Sequence, residues 1–208
     1  SAEDITSQID TIMASLDSLS TDEKDAAEAM QLRKKLEKAK IAIQRANRDL
    51  HSLKWRRLNQ TELEKETQTI LDRIENVKDT TPKGIEVIDK NEFVKYPNKE
   101  DVGKALEVFI NTTNLKFTRK EFNNLVQENH KLQSAMTVTT KAKLIDVEYI
   151  SGNKQTITLI QKLINTEKNL DNLVFFEVIP KDIAKNLSEI ELLFDYEIID
   201  NDPIVSID

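Results

Sequence analysis

The sequence contains no cysteine and has only three glycines and four prolines among its 208 residues. The lack of cysteine excludes a disulfide scaffold, a thiolate metal site and a cysteine nucleophile. Scarce glycine and proline argue against a disordered chain, and no glycine-rich loop is present that could hold a phosphate. Hydrophobic runs fall short of the roughly 20 apolar residues that cross a bilayer. The net charge of −7 disfavours nucleic acid as a partner.

The most informative feature that is present is a heptad pattern of apolar residues in the first third of the chain. Spacings of three and four residues repeat along it, which predicts a long helix that buries one narrow stripe against another helix. Hydrophobic residues make up 38% of the sequence and charged residues 32%, as expected for a protein with long exposed helices. The stripe consists of Ala29, Leu32, Leu36, Ala39, Ile43, Ala46, Leu50 and Leu53.

The first 80 residues are predicted to form an arm of three helices. An amphipathic helix around 5–19 precedes the heptad helix, which we expect from about Asp22 to Leu58, and a third helix follows at about 61–79. Short breaks with N-cap residues separate them, so neighbouring helices should be antiparallel. The first helix should cover the first half of the heptad helix, and the third helix its second half.

The charges support this pairing. The heptad helix is basic from Arg33 to Arg57, whereas its two neighbours are acidic. Arg33, Lys40 and Lys54 flank the stripe, where ion pairs between helices form. We therefore interpret the basic run as charge matching within the chain rather than as a nucleic-acid or membrane patch. The heptads alone are compatible with closure within one chain or between two, and the oligomeric state is left open.

Ile41, Arg48 and Trp55 lie at heptad positions that face away from the stripe. Two interpretations exist for them. They pack against another part of the chain, or they contact a protein partner, since Trp and Arg are enriched at binding hot spots. These three residues are the candidate partner site.

The rest of the sequence changes from helical to strand periodicity. Residues 81–136 predict a mixed region with one short strand at 85–88 and two helices, and residues 137–208 predict strands with a hairpin turn at Ser151-Gly152-Asn153. One long strand is expected at 190–198. The fold class is thus α+β: the helical arm (1–80), the mixed region (81–136) and an antiparallel β-sandwich (137–208).

The final stretch carries a resemblance. Residues 176–184 read FEVIPKDIA, residues 188–190 read SEI and residues 202–205 read DPIV. Over about 137–208 this resembles the membrane-proximal immunoglobulin-like module of archaeal cell-surface proteins. The resemblance implies an extracellular β-sandwich that is followed by a transmembrane anchor, so that the membrane is reached only through a segment outside these residues.

No motif for catalysis or cofactor binding is recognisable, so we predict neither catalytic nor cofactor-binding residues and no metal. A weaker alternative is a calcium site, because carboxylate oxygens are the ligands that this ion prefers. The acids that would form it are Asp195, Glu197, Asp200 and Asp202. The first functional hypothesis is a non-enzymatic cell-surface ectodomain that contacts protein partners. The second is an intracellular coiled-coil adaptor or chaperone-like protein, and an enzyme ranks last.

Overall fold

The computed structural model describes residues 2–96, 98–166, 175–179, 181–193, 195–200 and 204–207. Within these residues the fold is mixed α+β, with six α-helices and two three-stranded sheets. The chain divides into two compact units. The first comprises Ser1–Asn91 and Lys141–Gln161, and the second comprises Glu92–Thr140 and Lys162–Asp208. The predicted domain boundaries at 80 and 136 stay predictions.

Four helices form the arm in the first unit. A 3-10 turn at Leu16–Ser18 follows the first of them. The helices are α1 (Ala2–Ser15), α2 (Thr21–Ala29), α3 (Leu32–Leu53) and α4 (Gln60–Thr80). At about 1.5 Å per residue, α3 is roughly 33 Å long.

The heptad stripe is the core of this arm. On α3, Leu36, Ala39 and Ile43 pack with Ile9 and Ile12 of α1 in one buried cluster. Farther along the helix, Ala46 and Leu53 pack with Ile70 of α4 in a second cluster. The predicted pairing is therefore confirmed: α1 covers the first half of α3, and α4 covers its second half. Closure within one chain accounts for the buried stripe.

The predicted continuous helix from Asp22 to Leu58 is wrong at two points. The chain breaks between α2 and α3, where Gln31 adopts a left-handed conformation with φ of 53°. This conformation interrupts the helical path and lets α2 leave the axis of α3. At the other end, α3 stops at Leu53, five residues before the predicted end.

The predicted ion pairs form on the α1 side of α3. Lys40 Nζ lies 2.6 Å from an Asp10 carboxylate oxygen, and an Arg33 guanidinium nitrogen lies 3.0 Å from Asp17. On the α4 side one pair has the opposite polarity, since Arg73 of α4 binds Asp49 of α3 at 2.8 Å. Such exposed pairs specify which helices meet more than they add stability.

Three long strands follow the arm and form an antiparallel sheet in the order β1-β2-β3. They are β1 (Pro82–Lys95), β2 (Met136–Tyr149) and β3 (Lys154–Thr166). A helical hairpin of α5 (Lys99–Thr113) and α6 (Arg119–Ser134) lies between β1 and β2 in sequence. The predicted turn between β2 and β3 is confirmed, because Gly152 has φ of 90° and its amide donates to the Tyr149 carbonyl at 2.9 Å.

This hairpin turn anchors the base of the arm. The Ile150 amide donates to the Thr81 carbonyl at 3.0 Å, and the Ser151 amide donates to the Lys78 carbonyl at 3.2 Å. Both acceptors lie at the C-terminal end of α4, where carbonyls have no partner within the helix. Ile150 also packs against the α1–α3 cluster. The end of the arm where α3 runs into α4 is thus its tip.

The predicted C-terminal β-sandwich is not what the described residues form. They contain a small antiparallel sheet in the order β4-β6-β5, with β4 at Phe175–Val178, β5 at Glu197–Asp200 and β6 at Ile204–Ile207. The strands β2 and β3 belong instead to the sheet with β1. The long strand expected at 190–198 is wrong, since among the described residues of that range only Glu197 and Ile198 belong to a strand, β5. Alternation of apolar residues indicates a strand but does not specify its partner.

Candidate functional site

The three residues of the candidate partner site are exposed in the structure. Ile41 on α3 is 47% exposed, Trp55 just beyond that helix is 87% exposed, and Arg48 is also exposed. Spacings of seven residues put Ile41 and Arg48 on one face of α3. At this exposure the residues that the structure describes cover little of Trp55, which favours the second interpretation.

Trp55 lies two residues beyond the end of α3. Its amide donates to the Ser52 carbonyl at 3.0 Å, three residues back, so the helix ends in a tightened turn. Lys54 before it keeps helical dihedral angles. The indole therefore projects from an ordered turn, and binding would cost less conformational entropy than for a residue in a disordered loop.

A groove opens at the tip of the arm, and both sequence neighbours of Trp55 line it. It has a volume of about 340 Å³, and it is lined by Leu50, Leu53, Leu58, Leu63 and Thr67 together with Lys54 and Arg56. The groove thus has an apolar floor and a basic rim.

The local structure explains why this groove exists. Residues 54–59 connect α3 to α4, and Asn59 starts α4 with a capping box in which its side chain accepts from the Glu62 amide at 2.9 Å. The connection separates the two helix ends. Leu50, Leu58 and Leu63 pack against the buried cluster but are themselves only partly buried. They leave apolar surface that neither helix covers.

The electrostatics of the tip are positive. Arg48, Lys54 and Arg57 are exposed there. Asp49, the acid on this part of α3, forms an ion pair with Arg73 at 2.8 Å. Arg56 lies 3.8 Å from Glu66, a long and half-exposed contact that leaves its charge accessible to a ligand. Glu62 and Glu64 lie nearby on α4, but the connection 54–59 itself has basic side chains and no acid, in a chain with net charge −7.

A second group of charges lies where α2 meets the first sheet. Lys143 of β2 is 4% exposed and donates to the Asp22 carbonyl at 3.0 Å and to the Asp25 carboxylate. Lys90 of β1 pairs with the Asp22 carboxylate, and this hydrogen bond lowers the pKa of Asp22 below its usual 3.8. Each charge has an opposite partner, so this group fixes α2 to the sheet.

Sequence reasoning missed both Lys143 and the groove. For Lys143 a signal exists, because it alternates in phase with Ile145 and Val147, which are buried on β2. A lysine in such a phase needs a partner that compensates its burial. No sequence pattern indicated the groove, since its existence depends on the distance between the end of α3 and the start of α4.

The structure adds two findings on metals and membranes. In the part of the chain that it describes, no three side chains of the types that bind metals come together. Asp202, one acid of the calcium alternative, lies outside the described residues, so that alternative stays a prediction. No described helix combines the length and the apolar character needed to cross a membrane.

Comparisons with protein-family models, with curated proteins and with solved structures find no match to this chain.

Proposed function

We propose that this protein is a non-enzymatic interaction module whose helical arm contacts a partner protein through Ile41, Arg48 and Trp55. The observation that carries the proposal is the exposure of Trp55, a residue that is 87% accessible to solvent. Trp is the residue most enriched at binding hot spots, where its large apolar area is covered by the partner. The single tryptophan of the chain stands at such an accessible position.

The arm suits this role because it is rigid beneath its exposed face. Ile43 is fully buried two residues after the exposed Ile41, so the same helix has a packed side and an accessible side. A contact surface on a packed helix is already ordered before binding, which lowers the entropic cost of association.

We further propose that the module works at the cell surface. Support comes from the resemblance carried by the FEVIPKDIA and DPIV runs. A reagent that labels amines and cannot enter cells should modify the chain in intact cells. Labelling only after lysis would contradict the surface location and favour the intracellular adaptor.

A photo-crosslinking residue tests the contact face in cells that produce the protein. Gln44 is exposed three residues after Ile41, so a crosslinker there should capture a defined partner. Ser7, exposed on α1, is the matched control position and should not capture it. Equal adducts from both positions would contradict a specific face.

The captured partner then allows a direct measurement of affinity. Trp55→Ala should weaken binding about 30-fold, which corresponds to about 2 kcal/mol at a hot spot. The melting temperature should stay unchanged, because the indole makes little contact with the fold. Lys65→Ala, an exposed change on α4, should leave affinity as it is. A Trp55→Ala variant that has a lower melting temperature than the wild type but binds the partner normally would overturn the proposal.

A further inference from the structure

The groove at the tip of the arm has no role in the proposal above. We infer that it binds an acidic segment of a partner protein, with one large apolar side chain of that segment seated in the groove. This inference rests on the proposed function and names the chemistry of the partner. It commits to a protein segment that combines carboxylates with an apolar anchor.

The floor of the groove requires the apolar anchor. Leu50, Leu58 and Leu63 are partly buried, and the leucines of the two helices leave a concave apolar surface. A volume of about 340 Å³ is at the lower end of cavities that hold small ligands, and it is large enough for one leucine or phenylalanine side chain. Removing such a side chain from water is favourable in proportion to its apolar area.

The rim of the groove selects the charge of the segment. Lys54 and Arg56 line it, and Arg57 follows directly in sequence. Of the nearby acids on α4, Glu62 accepts from the Asn59 amide at 3.0 Å and Glu64 from the Gln60 side-chain amide at 2.7 Å, so both keep their charge. Glu66 contacts Arg56 at 3.8 Å. None of these acids lines the groove, so carboxylates of a partner would meet Lys54 and Arg56 there, and a basic segment would be repelled.

A nucleic acid fits this surface less well than a protein segment. Binding of single strands uses several aromatic side chains on which bases stack, and the sequence has one tryptophan, three tyrosines and seven phenylalanines in total, none of which lines the groove. The leucine floor offers a base no hydrogen bonds. The apolar floor and the basic rim together match an acidic segment with an aliphatic or aromatic anchor.

A synthetic peptide serves as the probe. In it one leucine is flanked on both sides by glutamates, and a fluorescent label reports binding by anisotropy. Two control peptides differ in one property each: the first replaces leucine by alanine, and the second replaces glutamates by glutamines. We expect the probe to bind and both controls to bind at least fivefold more weakly. Emission of Trp55, the only tryptophan, should shift as the probe covers the neighbouring groove.

Variants of the full chain locate the binding. Lys54→Glu should weaken binding of the probe about fivefold. This loss of affinity should be smaller at high salt, because salt screens exposed charges. Lys65→Glu is the matched control, because Lys65 lies two residues from both Leu63 and Thr67 on α4 and thus on its other side. Thr67→Phe should block the groove. Circular dichroism melting shows that each variant is folded.

The outcomes separate this inference from the proposed function. If the crosslinked partner depends on Trp55 but not on Lys54, Thr67 or salt, the contact face stands and the groove assignment is overturned. Equal binding of the probe and its alanine control, or of an oligonucleotide of similar charge, would also overturn it. Association of the protein with itself that Thr67→Phe abolishes would assign the groove to a second copy and reject the acidic partner.

Discussion

Lys143 on β2 donates a hydrogen bond to the carboxylate of Asp25 on α2, 118 residues earlier in the chain. The lysine side chain is 4% exposed and that of Asp25 is 41% exposed. One end of this pair is therefore removed from water, and the pair ties the first half of the arm to the sheet. A buried cation is tolerated only where it keeps its partners.

Removing the carboxylate should therefore destabilise the fold. We expect Asp25→Asn to lower the free energy of unfolding by about 1 to 2 kcal/mol, because Lys143 keeps the Asp22 carbonyl but loses its counterion. Denaturant unfolding followed by circular dichroism measures this. Asp17→Asn removes the exposed pair with Arg33 and should cost no more than a few tenths of a kcal/mol. Equal losses in the two variants would refute the role of burial.

The same region predicts an acid dependence of stability. Lys90 lowers the pKa of Asp22 below 3.8, and Lys83 lowers the pKa of Glu148 below 4.5, in each case chiefly through a hydrogen bond. The folded state thus binds protons less readily than the unfolded state. The stabilisation is complete above the unfolded values, and it is lost as the pH falls through them to the lowered folded values.

Unfolding measured between neutral pH and about pH 3 tests this linkage. Asp22→Asn should make stability less dependent on pH in the acid range than it is in the wild type. Glu28→Gln, at an exposed position on the same helix, is the control. If both variants follow the wild-type curve, the Lys90 contact does not hold in solution.

The break at Gln31 makes a further prediction. A left-handed conformation costs an ordinary residue about 1 to 2 kcal/mol, and glycine avoids this cost. Gln31→Val should destabilise the fold by about 1 to 2 kcal/mol, because a β-branched side chain adopts this conformation poorly. Gln31→Gly should be neutral or stabilising by up to about 1 kcal/mol. A more stable valine variant would instead indicate one continuous helix, as the sequence alone predicts.

The parts of the fold that the sequence predicted are those governed by local periodicity. Burial of Leu36 and Ile43 follows from spacings of three and four residues, and the Asn59 and Thr118 caps follow from side chains three residues before a glutamate. The ends of helices were harder to predict from the sequence. Nothing in the residues near Gln31 signals a break, and the contact that holds α2, between Asp25 and Lys143, joins residues 118 positions apart in the sequence.

Strand pairing was the least predictable part. The strands β2 and β3 were recognised from their alternation and turn, yet their partner is β1, which was predicted only as a short strand at 85–88. The partner lies across the helical hairpin in sequence, so local pattern has no information about it. For the candidate site, heptad position placed Ile41 and Trp55 off the stripe but left open whether other residues cover them, whereas the groove requires the three-dimensional course of residues 54–59.

Ile41 and Ile43 provide a test that separates stability from binding on one helix. Ile43 is fully buried in the α1–α3 cluster, and Ile41 is 47% exposed on the opposite side. Ile43→Ala should lower the free energy of unfolding by about 2 to 5 kcal/mol, since it leaves a cavity in a packed core. Ile41→Ala should change it by no more than about 0.5 kcal/mol. In partner binding the order should reverse: Ile41→Ala should weaken affinity, and Ile43→Ala should bind normally at a temperature where it is folded. Equal losses of affinity in the two variants would mean that the outward face of α3 has no specific part in recognition.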